Sequence, residues 1–127
     1  METTTNAMRL LKQAGVEFGE SSYEVDESDL SGVHAAEMLG VEVERVFKTL
    51  VTRGDKGHLY VFCIPAAEEL DMKKCAAAVH EKKLEMVHVK ELPALTGYIR
   101  GGCSPIGMKK KFPTVIDETA QLSDTIY

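Results

Sequence analysis

The stretch that decides the fold is Val46-Phe47-Lys48-Thr49-Leu50-Val51, followed by Gly54-Asp55-Lys56-Gly57 and then His58-Leu59-Tyr60-Val61-Phe62-Cys63-Ile64. Two β-branched and aromatic runs flank a glycine-rich turn, which spells a β-hairpin. Apolar residues occur on both alternating sets of positions, so the sheet is expected to be covered on both faces. Lys48 breaks that pattern. Alternation puts it on the face of Val46 and Leu50, where an ammonium is unfavourable unless it is paired, opens into a cleft, or snorkels from an edge strand.

Outward from the hairpin the signals are mostly helical. Thr5 to Ala14 carries an apolar stripe through Met8, Leu11 and Ala14 and ends at Gly15. Val16 to Asp26 alternates loosely, with Ser22 to Val25 as a strand, and Asp26 to Gly32 reads as an acidic loop. His34 to Leu39 forms a short helix stopped by Gly40. Asp71 caps a helix through Met72, Cys75, Ala76 and Val79. Leu84–Val89 is a strand, Glu91–Leu95 a helical turn, Pro113–Asp117 a strand, and Asp124–Tyr127 the start of a last one.

The chain has 127 residues, 44% hydrophobic and 28% charged, which suits one domain with a single sizeable core. No apolar run is long enough to span a bilayer, and no basic leader precedes an apolar stretch, so a soluble cytoplasmic protein is expected. Three cysteines (Cys63, Cys75, Cys103) and four histidines stand at no metal-ligand spacing. Neither a disulfide framework nor a metal or other cofactor is expected. The net charge of -5 is uneven: residues 1–45 hold ten acids against three bases, and the remainder twelve bases against ten acids. A basic patch in the second part can hold phosphates.

Thr96-Gly97-Tyr98-Ile99-Arg100-Gly101-Gly102-Cys103-Ser104-Pro105-Ile106-Gly107-Met108-Lys109-Lys110-Lys111 holds four glycines, a proline and four basic residues, with no carboxylate. It reads either as a tight connection between strands with a solvated lysine run, or as a cradle of amides and cations for an anion or oxyanion. Cys103 lies within it. With no histidine near in sequence to activate it, packing is the favoured reading of that cysteine over nucleophile.

Phe47-Lys48-Thr49-Leu50-Val51, Leu70-Asp71-Met72-Lys73-Lys74, Thr96-Gly97-Tyr98, Gly101-Gly102-Cys103-Ser104-Pro105-Ile106-Gly107 with Lys109-Lys110, and Pro113–Asp117 occur in that order. With Tyr23 and the Gly40 helix end in corresponding places, the chain resembles the YbaK-type Cys-tRNA(Pro) deacylases. These are related to the editing domain inserted in bacterial prolyl-tRNA synthetases. The resemblance implies one compact α/β domain over residues 1–127, around a curved, mixed, barrel-like β-sheet flanked by helices and without the family's C-terminal strands. It implies hydrolysis in trans of the ester joining a mischarged amino acid to the tRNA 3′ end. Lys48 matches the family's essential lysine. Tyr23 matches a pocket tyrosine, and Gly101, Gly102, Ser104 and Pro105 match its substrate loop; Thr49 and Tyr98 adjoin them.

Arg100, Lys109, Lys110 and Lys111 are expected on the tRNA backbone. The partners implied are the mischarged tRNA acceptor end and prolyl-tRNA synthetase, with no membrane and no metal. No protein group reads as a convincing nucleophile, and the resemblance implies that the substrate cysteine's own thiol assists. Two alternatives are an inactive tRNA-end or protein-binding module of the same fold, and a deacylase for Ala-tRNA(Pro).

Overall fold

The computed structural model describes residues 5–22, 31–99 and 103–127. Helix α1, Asn6–Gln13, starts at Thr5, whose hydroxyl accepts the Met8 N–H at 3.1 Å, satisfying one of the amide donors orphaned at a helix start. Helix α2, Gly32–Leu39, is capped by Ser31 and ends at Gly40 with φ 67°. That left-handed turn favours glycine, because a Cβ there crowds the backbone.

The hairpin forms as expected. Strand β1, Phe47–Gly54, pairs antiparallel with β2, Leu59–Pro65, setting Lys48 opposite Ile64, Thr49 opposite Cys63 and Val51 opposite Val61. Helix α3, Met72–Ala78, begins at Asp71, whose carboxylate accepts the Lys74 N–H at 3.1 Å. Strand β3, Leu84–Met86, pairs antiparallel with the end of β1, and β4, Thr114–Ile116, pairs parallel with β2. Helix α4, Leu92–Thr96, lies between β3 and the glycine-rich turn.

The strand order is β3-β1-β2-β4. The sheet is mixed but open, which corrects the barrel-like expectation. Its outer strands β3 and β4 lie at opposite edges and do not pair with each other. Each is three residues long, against seven paired positions in the hairpin. Four strands with such short edges cannot supply the staggered register that closes a barrel.

Two strand expectations also change. The run from Leu84 stops at Met86, and Val89–Glu91 winds into a 3₁₀ turn instead. There the Glu91 carboxylate accepts the His88 N–H at 3.2 Å. At the far end, Glu118–Leu122 is a 3₁₀ helix and Asp124–Tyr127 is not a strand. Tyr127 N–H donates to Arg45 O just before β1, and its carbonyl accepts the Phe47 N–H of β1, both at 2.8 Å.

Both sheet faces are covered. On one, Val51, Val61, Cys63 and Val87 form a buried cluster joined by Leu59, Leu92, Leu95, Cys103, Met108 and Phe112. On the other, Phe62, Ala76 and Leu84 pack with Leu70, Met72 and Cys75 around α3. Phe62 is 2% exposed, and burying such a ring contributes about 1.5–3 kcal/mol. Among the described residues no helix is long and apolar enough to cross a membrane.

Candidate functional site

The glycine-rich turn is tied at both ends to Thr96, which is fully buried. Its hydroxyl donates to Leu92 O at 2.8 Å and accepts the Tyr98 N–H at 3.0 Å, while its carbonyl accepts the Lys109 N–H at 3.1 Å. Inside that frame the Tyr98 hydroxyl donates to Ile106 O at 2.6 Å, and Ser104 Oγ accepts the Ile106 N–H at 3.1 Å. Gly107 has φ 80°, and a Cβ there would meet Asn6 Nδ2, Leu10 Cδ1 and the Tyr98 hydroxyl. Helix α1 therefore closes directly onto the turn, and Asn6 Nδ2 donates to Gly107 O at 3.3 Å.

Cys103 is half-buried in the cluster with Val51, Val61 and Cys63. Burial pushes its thiol up, only partly opposed by the Thr96 hydroxyl. Burial likewise raises Cys63, against a contact of 3.8 Å between its sulfur and Thr49 Oγ1, and it raises Cys75 on α3. A thiol held protonated is a poor nucleophile, so all three cysteines have the chemistry of packing groups.

Thr49 faces the same side as Cys63 and the turn. Lys48, its neighbour, alternates to the other side with Val46, Leu50 and Thr52, half-buried and without an ion-pair partner among the described residues. Lys48 and the described part of the turn thus leave β1 on opposite faces. The edge of β1 away from β2 runs between those two faces. Phe47 N–H is bonded to Tyr127 O and Val51 O to Val87 N–H on that edge. Between these bonds Thr49 turns its peptide N–H and C=O outward, with no backbone partner among the described residues.

Of the other expected site residues, Tyr98 and Ser104 are half-buried, and Pro105, Lys109, Lys110 and Lys111 are exposed. Tyr23, Arg100, Gly101 and Gly102 lie outside the described residues. The sequence reading missed Thr96 as the anchor of the turn and Asn6 as its contact from α1. A threonine closing a helix before glycine carries no distinctive pattern, and Asn6 is 101 residues away from its partner. It also missed the pair of Arg53 with Glu91, at 3.0 and 3.3 Å. Among the described residues no group of three or more His, Cys, Asp or Glu is placed to hold a metal.

A model of the aminoacyl-tRNA editing domain family matches residues 30–127, which include β1, the turn and the edge at Tyr127. The chain belongs to the aminoacyl-tRNA editing domain family. An Enterococcus faecalis member, EbsC, provisionally named a Cys-tRNA(Pro)/Cys-tRNA(Cys) deacylase, is 55% identical over 117 residues, covering 92% of this chain and 71% of that protein. A crystal structure provisionally named a trans-editing enzyme for prolyl tRNA synthetase superposes with TM-score 0.72 at 30% identity, over 81% of this chain. This chain spans 64% of that protein's length. The crystal structure of a hypothetical protein shares the fold at 22% identity, with TM-score 0.79, 94% of this chain covered and 77% of that one.

Proposed function

We propose that this editing-domain protein is a trans-editing aminoacyl-tRNA deacylase that hydrolyses the ester of mischarged Cys-tRNA(Pro). The observation that carries the reading is the 55% identity over 117 residues to the enterococcal deacylase. The chemistry of the described residues agrees with it. None of the three thiols is activated, so the reaction needs a nucleophile from elsewhere. A cysteinyl ester brings its own.

In this mechanism the substrate thiol loses its proton and its sulfur attacks the ester carbonyl of the same amino acid, forming a C–S bond and a tetrahedral oxyanion. Collapse breaks the C–O bond to the ribose, the 3′ oxygen takes up a proton, and a thiolactone leaves for hydrolysis by water. Backbone amides of the turn from Gly101 to Ser104 stabilise the oxyanion, each well-aimed donor contributing about 2.7–4 kcal/mol. Lys48 holds the terminal adenosine phosphate or the carbonyl side. The bare Thr49 edge is where a ligand can reach Lys48 from one face and the turn from the other. By the family resemblance Tyr23 and Tyr98 are assigned to substrate binding, and Arg100 with Lys109–Lys111 to the acceptor strand.

Selectivity then resides in the aminoacyl group, since proline and alanine have no thiol to attack with. Prolyl-tRNA synthetase, the source of the mistake, is the proposed hand-off partner, and the cytoplasm the proposed location. The test is ester loss from labelled Cys-, Ala- and Pro-tRNA(Pro). Rapid loss from Cys-tRNA(Pro) alone is expected. Loss from Ala-tRNA(Pro) at the same rate would overturn the thiol-assisted mechanism, and tRNA binding without any loss would mark an inactive binding module.

A further inference from the structure

A cavity of about 720 Å³ opens at the hairpin end of β1, away from Lys48. Its size falls within the roughly 300–1,000 Å³ typical of ligand sites. Leu59, Leu95 and Phe112 in its wall also belong to the cluster that buries Cys103, so the cavity and the glycine-rich turn share one sheet face. Its cations come from two separate parts of the chain. Arg53 stands on the hairpin, with His58 beside it in the lining, and Lys109, Lys110 and Lys111 approach from the segment after the turn.

Among the described residues no carboxylate lines the cavity, in a chain with 20 acids and a net charge of -5. Glu91, outside the lining, holds the Arg53 guanidinium through two bonds, at 3.0 and 3.3 Å. Lys109 is fixed through its backbone bond to Thr96. Cations around an apolar, aromatic-bearing wall match a nucleic-acid strand, whose phosphates meet the charges while a base stacks on a ring. An acidic peptide would use the charges and leave Phe112 idle.

The spacing fits the proposed reaction. Arg53 is four residues along β1 from Thr49, about 13 Å at strand rise. A stacked strand advances about 3.4 Å per nucleotide, so about four nucleotides bridge that distance. That is the length of the unpaired 3′ end of a tRNA. We propose that this cavity is a second RNA contact, receiving the acceptor strand where it enters the base-paired stem while the esterified end lies at the Lys48–Thr49 edge. The inference rests on the deacylase reading for the position of that end.

The test measures binding by fluorescence anisotropy with two uncharged RNAs. One is a minihelix carrying a base-paired acceptor stem and the unpaired 3′ end; the other is the four-nucleotide end alone. His58→Glu and Lys111→Glu lie on different segments and at exposed positions, and thermal melts check that each folds. Each is expected to weaken minihelix binding about tenfold, with a salt slope shallower by about one for Lys111→Glu, and to penalise the tetranucleotide at least about fivefold less. Equal penalties on both RNAs, no penalty on either, or displacement of the minihelix by polyglutamate at equal charge would overturn the proposal. Ester loss from Cys-tRNA(Pro), followed in parallel with the unmutated protein, separates the two ideas. Ester loss without a length-dependent penalty overturns the second contact alone, and the penalty without ester loss supports the contact and overturns the deacylase reading.

Discussion

The two faces of β1 are built from different chemistry. The α3 face is mostly hydrocarbon, with Phe62, Ala76 and Leu84 buried together and the buried Thr52 hydroxyl donating to Tyr60 O at 3.1 Å. The turn face mixes aliphatic groups with sulfur and hydroxyl: Cys63 and Cys103 lie in its cluster, Thr49 touches Cys63, and Thr96 anchors the loop. One face makes the sheet stable. The other holds a glycine-rich segment in a set shape, and buried hydroxyls suit that task because hydrogen bonds specify direction where apolar contacts do not. Lys48 is the exception, a cation on the α3-facing side, near the bare edge where the two faces meet.

That contrast can be broken experimentally. The largest effect should come from Phe62→Ala, which removes the 2%-exposed centre of the α3 face and should cost about 3–5 kcal/mol in a denaturant titration. Lys48→Ala should leave the melt nearly unchanged but lower kcat/KM for Cys-tRNA(Pro) by at least about 100-fold, the scale of a lost transition-state contact. A stability loss as large as that of Phe62→Ala would make Lys48 a core residue after all. Tyr98→Phe deletes the donor to Ile106 O and leaves a half-buried carbonyl unpartnered, so a loss of about 1–3 kcal/mol is expected, with a matching fall in activity. Cys103→Ala should change kcat/KM by less than about threefold, since its thiol is held protonated.

A pH experiment sharpens the comparison at the cavity. The Arg53 guanidinium holds the Glu91 carboxyl below its ordinary value of 4.5. A carboxyl depressed in the folded state stabilises the fold above its unfolded pKa, and that contribution disappears as pH falls through the folded value. The protein should therefore lose stability below about pH 4.5 more steeply than Glu91→Gln does, by thermal melts from pH 3 to 6. Identical curves would show that solvent screens the pair.

The hairpin, α3 and the Gly40 end of α2 were legible because apolar spacing and capping residues act locally, whereas the start of α2 at Gly32, capped by Ser31, was read as loop. Sheet closure was not. Apolar residues on both faces of Val46–Ile64 reveal that the sheet is covered, and helices, a turn or further strands cover it equally well. The parallel pairing of β4 with β2 also rests on long-range packing, which leaves no local mark in Thr114–Ile116. Asp124–Tyr127 looks like a strand by composition, yet its one backbone bond to β1 among the described residues is from Phe47 N–H to Tyr127 O, and one bond makes no ladder. For the site, the Lys48 strand and the Gly101–Gly107 pattern pointed to the family. Alternation along β1 could have separated Lys48 from Thr49 at once, but which face the turn would take depended on where Cys103 packed.

The anchoring of both ends of the glycine-rich turn on Thr96 makes that segment an Ω-loop in the mechanical sense, closed at its neck by one residue. Closure entropy rises only with the logarithm of loop length, by about 0.6 kcal/mol per doubling. A neck that is already closed spares the residues beyond it most of that cost, while Cys103 and Met108 still pack the segment onto the sheet cluster. Residues added within the loop should therefore cost little in closure entropy, provided Cys103 and Met108 keep their places against the buried cluster of Val51 and Val61.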